Sequence, residues 1–175
     1  MKQTIIFSLL LILISCGTPK VIYDYDDTTN FSKFKTFHFF EDVGKGFNEF
    51  DVKRTITILE NELSKSGFVK VKNPDFFINI KAKVTETQNR NTIGIGVGSG
   101  GRNGGFGISG GIPIGGKKLN EALIIEFVNA KTNELFWEGS LISTIKEKRK
   151  PAEREAYLRT VIQKILKKYP PKVKN

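Results

Sequence analysis

The stretch LNEALIIEFVNAKTNELFWEGSLISTI, Leu119 to Ile145, decides how the chain folds. Two apolar, β-branched runs, Leu119 to Val128 and Glu134 to Ile145, flank Asn129-Ala-Lys-Thr-Asn133, whose residue types suit a turn, so the pattern predicts a β-hairpin. Trp137 lies between Phe136 and Glu138, where a ligand-stacking aromatic would sit. An apolar hairpin packed under helices makes burial in the core its expected role.

Upstream, Val21-Ile-Tyr-Asp-Tyr and Lys35-Thr-Phe-His-Phe-Phe read as strands. Phe68-Val-Lys-Val-Lys and Asp75 to Thr87 read as two more, separated by the turn signal Asn73-Pro74. Between the two pairs, Val52, Ile56, Leu59 and Leu63 recur at helical spacing, with Asp51 placed to cap the helix and Gly67 placed to end it. Downstream, Pro151 opens a second helix whose Leu158, Val161, Ile162, Ile165 and Tyr169 share one face. Glu153 and Glu155 near its start and Lys164, Lys167 and Lys168 near its end complement the helix dipole, and Pro170-Pro171 stops it. Many strands with two helices imply an α+β fold: an antiparallel β-sheet with two α-helices packed on one face, plus a Gly-rich hairpin or loop.

The size agrees with this. The chain has 175 residues, of which 39% are hydrophobic, 26% charged and 11% aromatic, enough for one domain with a core and too short for two. A formal charge of +10 favours anionic partners or surfaces. One Cys and one His exclude an intrachain disulfide framework or a multi-Cys metal site.

At the N-terminus Lys2 precedes an apolar run from Thr4 to Ile14, bounded by Ser15, Cys16 and Gly17, which is the profile of a secretory leader. The run is shorter than the roughly 20 residues a membrane-spanning helix needs. Leu13-Ile14-Ser15-Cys16 resembles the lipobox of bacterial lipoproteins, in which the Cys thiol takes a diacylglycerol and becomes the new N-terminus. The resemblance implies residues 1–15 as leader, 16–20 as acylated Cys and short tether, and 21–175 as one domain with an insertion at 93–116. Two or three acyl chains hold a protein on a membrane, at about 0.8 kcal/mol per buried methylene. Gly17 is not the Asp that retains such proteins at the inner membrane, which points to the outer membrane, facing the periplasm.

Several landmarks resemble those of the bacterial lipoprotein family known as domain of unknown function 4136. They are Val21 with Tyr23-Asp24, Phe31-Ser-Lys-Phe-Lys-Thr-Phe37, Gly67-Phe68, Pro74-Asp75, Glu134-Leu-Phe-Trp-Glu-Gly139 and Ile165-Leu-Lys-Lys-Tyr-Pro-Pro171. Asn129 stands where an Asp is expected in the hairpin turn, and both residues suit turns. The resemblance implies an envelope lipoprotein domain and carries over no cofactor and no catalytic residue.

Ile93 to Gly116 is the compositional oddity. Gly96-Val-Gly-Ser-Gly-Gly101 matches a dinucleotide fingerprint by letters but lacks the helix that must follow. Gly111-Ile-Pro-Ile-Gly-Gly-Lys-Lys118 puts Lys118 where a P-loop needs Ser or Thr. Neither supports a nucleotide cofactor. Ile93, Ile95 and Val97 alternate with Gly and are answered by Phe106 and Ile108, with Arg102 near the tip, as in a Gly-rich hairpin with one bare face. Such a hairpin either contacts a partner or membrane, or is an insertion without a specific role.

His38 has no second His or free Cys to work with, so a structural role is expected. Asp24, Asp26 and Asp27 lack the spacing of a calcium loop. The basic run Lys146, Lys148, Arg149 and Lys150, continued by Arg154 and Arg159, suits anionic lipid or another envelope polyanion rather than nucleic acid, or else is a solvated helix entrance. The reading that results is a lipid-anchored, non-enzymatic binding or scaffold domain without a cofactor, its oligomeric state open. The alternatives are an auxiliary subunit of an envelope transport complex, and a hydrolase or small-ligand binder that would need Asp24, Asp26 or Glu138 to converge with His38.

Overall fold

The computed structural model describes residues 19–87, 92–94, 111–113, 118–146 and 149–172. The elements run β1 (Val21–Tyr25), a 3-10 turn (Phe31–Lys33), β2 (Thr36–Phe39), α1 (Glu49–Lys65), β3 (Val69–Lys70) and β4 (Phe76–Thr87). They continue with β5 (Thr92–Gly94), β6 (Gly111–Pro113), β7 (Lys118–Asn129), β8 (Leu135–Ile145) and α2 (Pro151–Leu166). Among the described residues, six strands form the main sheet in the order β1-β8-β7-β4-β2-β3.

The expected hairpin is the centre of that sheet. β7 pairs antiparallel with β8 on one side and with β4 on the other. Asn129 shapes the turn by accepting the Lys131 amide at 2.9 Å, and Asn133 takes a positive φ of 58°, a conformation Asn tolerates. The antiparallel expectation needs one correction. β2 lies parallel to both β3 and β4, because α1 carries the chain from the end of β2 back to the start of β3. The sheet is therefore mixed and mostly antiparallel.

Strand alternation puts Phe76, Ile78, Ile80, Leu123, Ile125, Phe127, Trp137 and Leu141 on one buried face, against Ile58, Leu59 and Leu63 of α1 and Leu158, Val161, Ile162 and Ile165 of α2. Trp137 is fully buried, as its place in the hairpin implied. Gly139 lies where α2 crosses β8, and a Cβ there would sit 2.6 Å from both Ile165 and the Trp137 ring. Among the described residues no helix covers the opposite face of the sheet. Its polar centre is Glu126, which accepts from Lys81 at 2.6 Å and from Asn79 at 2.9 Å.

α1 ends as its sequence implies. Gly67 has a φ of 86°, and the Phe68 amide donates back to the Leu63 carbonyl at 3.0 Å, the bond pattern of a glycine-terminated helix. The helix start is a second correction. Asn48, not Asp51, is the cap, its side-chain oxygen accepting the Asp51 amide at 3.0 Å. Asp51 thus lies in the first turn, where its carboxylate accepts the Asn48 side-chain amide at 3.1 Å.

Both helices start at the same end of the sheet. Asp51 of α1 touches Arg154 of α2 near their starts, and Glu62 meets Gln163 near their ends, so the two run parallel. We call the end with the helix starts the upper end. There β4 finishes, β7 begins and β8 finishes, since Leu119 pairs with Ile145 and Thr87 with Lys118. The lower end is closed by aromatic rings: Phe34 stacks on Phe136 at 4.1 Å, and Tyr169 meets Phe127 edge-on at 4.7 Å.

Candidate functional site

At the upper end a buried ion cluster ties both helices to β7. Arg154 reaches Glu121 through two bonds of 2.7 Å each, and its Nε donates to Asp51 at 2.9 Å. Arg154, Asp51 and Glu121 are 7%, 5% and 2% exposed. Burial by itself would lower the Arg154 pKa, but the Glu121 and Asp51 carboxylates outweigh it and hold the guanidinium above its ordinary value. The fork geometry explains why Arg fills this place: three of its donors are committed at once to two acids.

Two further cations surround this cluster. Arg54, one turn along α1, donates to the other oxygen of Asp51 at 2.9 Å. Arg149 lies over the Tyr157 ring at 5.0 Å, and Arg154 lies 5.3 Å from the same ring. The Tyr157 hydroxyl shares a hydrogen bond of 2.6 Å with Ser143, and its pKa is raised by burial. Burial and the neighbouring Arg154 charge push the Arg149 pKa below its ordinary value. The Arg149 Nη1 is shut off from water and finds no acceptor among the described residues. A cleft of about 280 Å³ opens here between the helix starts, lined by Asn48, Phe50, Asp51, Arg54, Arg149, Pro151 and Arg154.

Of the basic run read from the sequence, Lys146 and Lys150 are exposed at this end and Arg149 enters the cleft, while Lys148 lies outside the described residues. Arg154 belongs to the buried cluster rather than to a solvated entrance. Cys16, Ile95, Val97, Arg102, Phe106 and Ile108 also lie outside the described residues. Ile93 falls in β5, whose backbone pairs antiparallel with β6 opposite Ile112.

The carboxylates proposed to converge with His38 do not do so. Asp24, Asp26 and Glu138 line a cavity of about 310 Å³ beside Trp137. His38 lines another of about 700 Å³ with Phe40, Glu41, Asp42, Lys72 and Phe77, and its Nδ1 lies 2.9 Å from the Phe39 carbonyl. Asp26 spends its oxygens on the Thr28 and Thr29 hydroxyls at 2.7 and 2.9 Å, bonds that hold its carboxyl below the usual range. Among the described residues no three His, Cys, Asp or Glu side chains are grouped to hold a metal, and no helix is long and apolar enough to cross a membrane.

Glu121 and Asp51 were missed as site residues, though Glu121 had left a trace. It occupies a core-parity position between Leu119 and Leu123, the one acid on the buried side of β7. Such an acid requires a cation, and Arg154, four residues before Leu158 on the apolar stripe of α2, is the matching anomaly.

Solved structures share the architecture. A PDZ domain protein from Parabacteroides distasonis superposes with a TM-score of 0.52 at 14% identity, over 97% of this chain and 40% of that one, so the present chain spans less than half of that protein. A PelC variant from Paraburkholderia phytofirmans, crystallised as a dodecamer, gives 0.51 at 10% identity, over 85% of this chain and 95% of that one. At these identities the likeness is one of fold. No curated protein sequence matches the chain. The family model described as Domain of unknown function (DUF4136) matches residues 21–171, and the chain belongs to that family.

Proposed function

We propose that this is a lipid-anchored envelope protein, held by acyl chains on Cys16 at the outer membrane facing the periplasm, whose domain is a non-enzymatic binding module seated with its upper end on the bilayer. The observation that carries the reading is the meeting of tether and cations. β1 enters the sheet from the upper end, because Val21 pairs with Leu141 and the chain before it points towards Ile145. Val21 lies five positions after Cys16, a reach of at most about 18 Å at about 3.6 Å per residue. Lys146, Arg149 and Lys150 follow β8 at that same end. A cation near an anionic membrane surface adds about 1 kcal/mol.

Fractionation of cells making the full chain or Cys16→Ser tests the anchor. The wild-type chain is expected in the membrane fraction until detergent is added, with acyl mass on its N-terminal peptide, and the variant in the soluble fraction. A wild-type chain soluble without detergent, or a mature N-terminal peptide without acyl mass, overturns the reading.

A further inference from the structure

We propose that the cleft between the starts of α1 and α2 is a binding site for a single phosphate group, gripped by Arg149 and Arg54 over a floor made by the Arg154 cluster. The charge balance of the cleft leads there. Asp51 and Glu121 are both engaged by Arg154, and Asp51 by Arg54 as well, so that among the described residues no carboxylate pairs with Arg149. Its Nη1 is shut off from water and finds no acceptor among the described residues, and the guanidinium borders the cleft. The two parallel helix starts add their positive ends, each equivalent to roughly half a charge. Glu49 and Glu153, the other acids of the first turns, do not line the cleft, and Glu153 faces the Lys150 amide at 3.3 Å. Surplus charge of about two units suits a phosphate group of about −1.5 to −2 better than a carboxylate. The volume of about 280 Å³ leaves room for that group and its waters.

Phe50 indicates the source of the phosphate. It lines the cleft yet is 71% exposed, the most exposed large apolar residue among those described. An aromatic ring beside a phosphate-sized basic cleft is the combination that seats on a lipid headgroup, with the ring at the acyl boundary and the cations on the phosphate. This part rests on the membrane-seated orientation proposed above; the phosphate site itself rests on the cleft alone.

The test uses the purified full-length chain in neutral detergent. Calorimetric titration with inorganic phosphate is expected to show one site, weakened about tenfold or more by Arg149→Gln and by Arg54→Gln and less by Arg149→Lys. Arg149→Gln is expected to melt no lower than wild type, which keeps a loss of binding separate from a loss of fold. Vesicles containing phosphatidic acid should compete with inorganic phosphate for the wild type, and Phe50→Ser should weaken the vesicle arm while leaving inorganic phosphate unchanged. If phosphate binds as described but vesicles do not compete, the site stands and its ligand is a soluble phosphate. Absence of phosphate binding, or equal binding by Arg149→Gln, overturns the site whether or not Cys16 anchors the chain.

Discussion

Arg154 is the residue on which the upper end depends. Truncating it would leave two carboxylates, Asp51 and Glu121, buried with too little compensation. Removing one member of a buried ion cluster costs about 3–5 kcal/mol, against the 0–1 kcal/mol of an exposed pair such as Arg159 with Glu155. Arg154→Met is therefore expected to lower the unfolding free energy by about 4 kcal/mol in a denaturant titration. Adding Glu121→Leu should recover part of that loss, because the deepest orphaned charge goes with it while Asp51 keeps Arg54. A double variant no more stable than the single one would mean that Glu121 does not depend on Arg154.

The joint between β2 and β4 is held by one side chain rather than by a long ladder. Asp75, just before β4, accepts the Lys35 amide at 2.9 Å, the Thr36 amide at 2.9 Å and the Thr36 hydroxyl at 2.8 Å. The Lys35 amide is the largest influence on its carboxyl, which is held below the usual value of 3.8. A depressed carboxylate binds protons more weakly in the folded than in the unfolded chain, so its stabilisation is complete above about pH 4 and fades as acid takes the pH below that. Asp75→Asn is expected to cost about 2 kcal/mol at neutral pH, with the gap from wild type closing as the pH falls from about 4. A gap that stays constant with pH would exclude Asp75 as the acid-sensitive clamp. At this scale the chain's pattern was readable wherever period and punctuation coincide: the β7–β8 hairpin from its two β-branched runs, the end of α1 from Gly67, the start of α2 from Pro151. It was unreadable where the outcome depends on pairing across the fold. The parallel run of β2 rests on its distant partner Phe76 and on the return path of α1, neither of which leaves a local mark. Likewise Asp51 looked like a cap because caps and buried ion partners draw on the same residue types; only the contact with Arg154, 103 positions away, separates the two roles.

Over the whole molecule the cations do not act together, because the domain is longer than the reach of their fields. α1 alone, with its 17 residues, is about 25 Å long at about 1.5 Å per residue, three times the Debye length of about 8 Å at physiological salt. Lys146 and Lys150 at the upper end would feel an anionic bilayer that Lys131 in the β7–β8 turn and Lys167 past α2 would not. All four side chains are exposed in the free domain, so an amine-reactive label should modify them at comparable rates in detergent. On vesicles rich in anionic lipid, the full-length chain, acylated on Cys16 as proposed, is expected to lose labelling at Lys146 and Lys150 by several-fold, with Lys131 and Lys167 unchanged. The protection should shrink as salt rises, since the exposed part of the attraction is screened while the acyl anchor is not. Protection confined to Lys131 and Lys167 would reverse the proposed orientation, and equal protection of both ends would remove it, in either case separating the basic end of the domain from membrane binding.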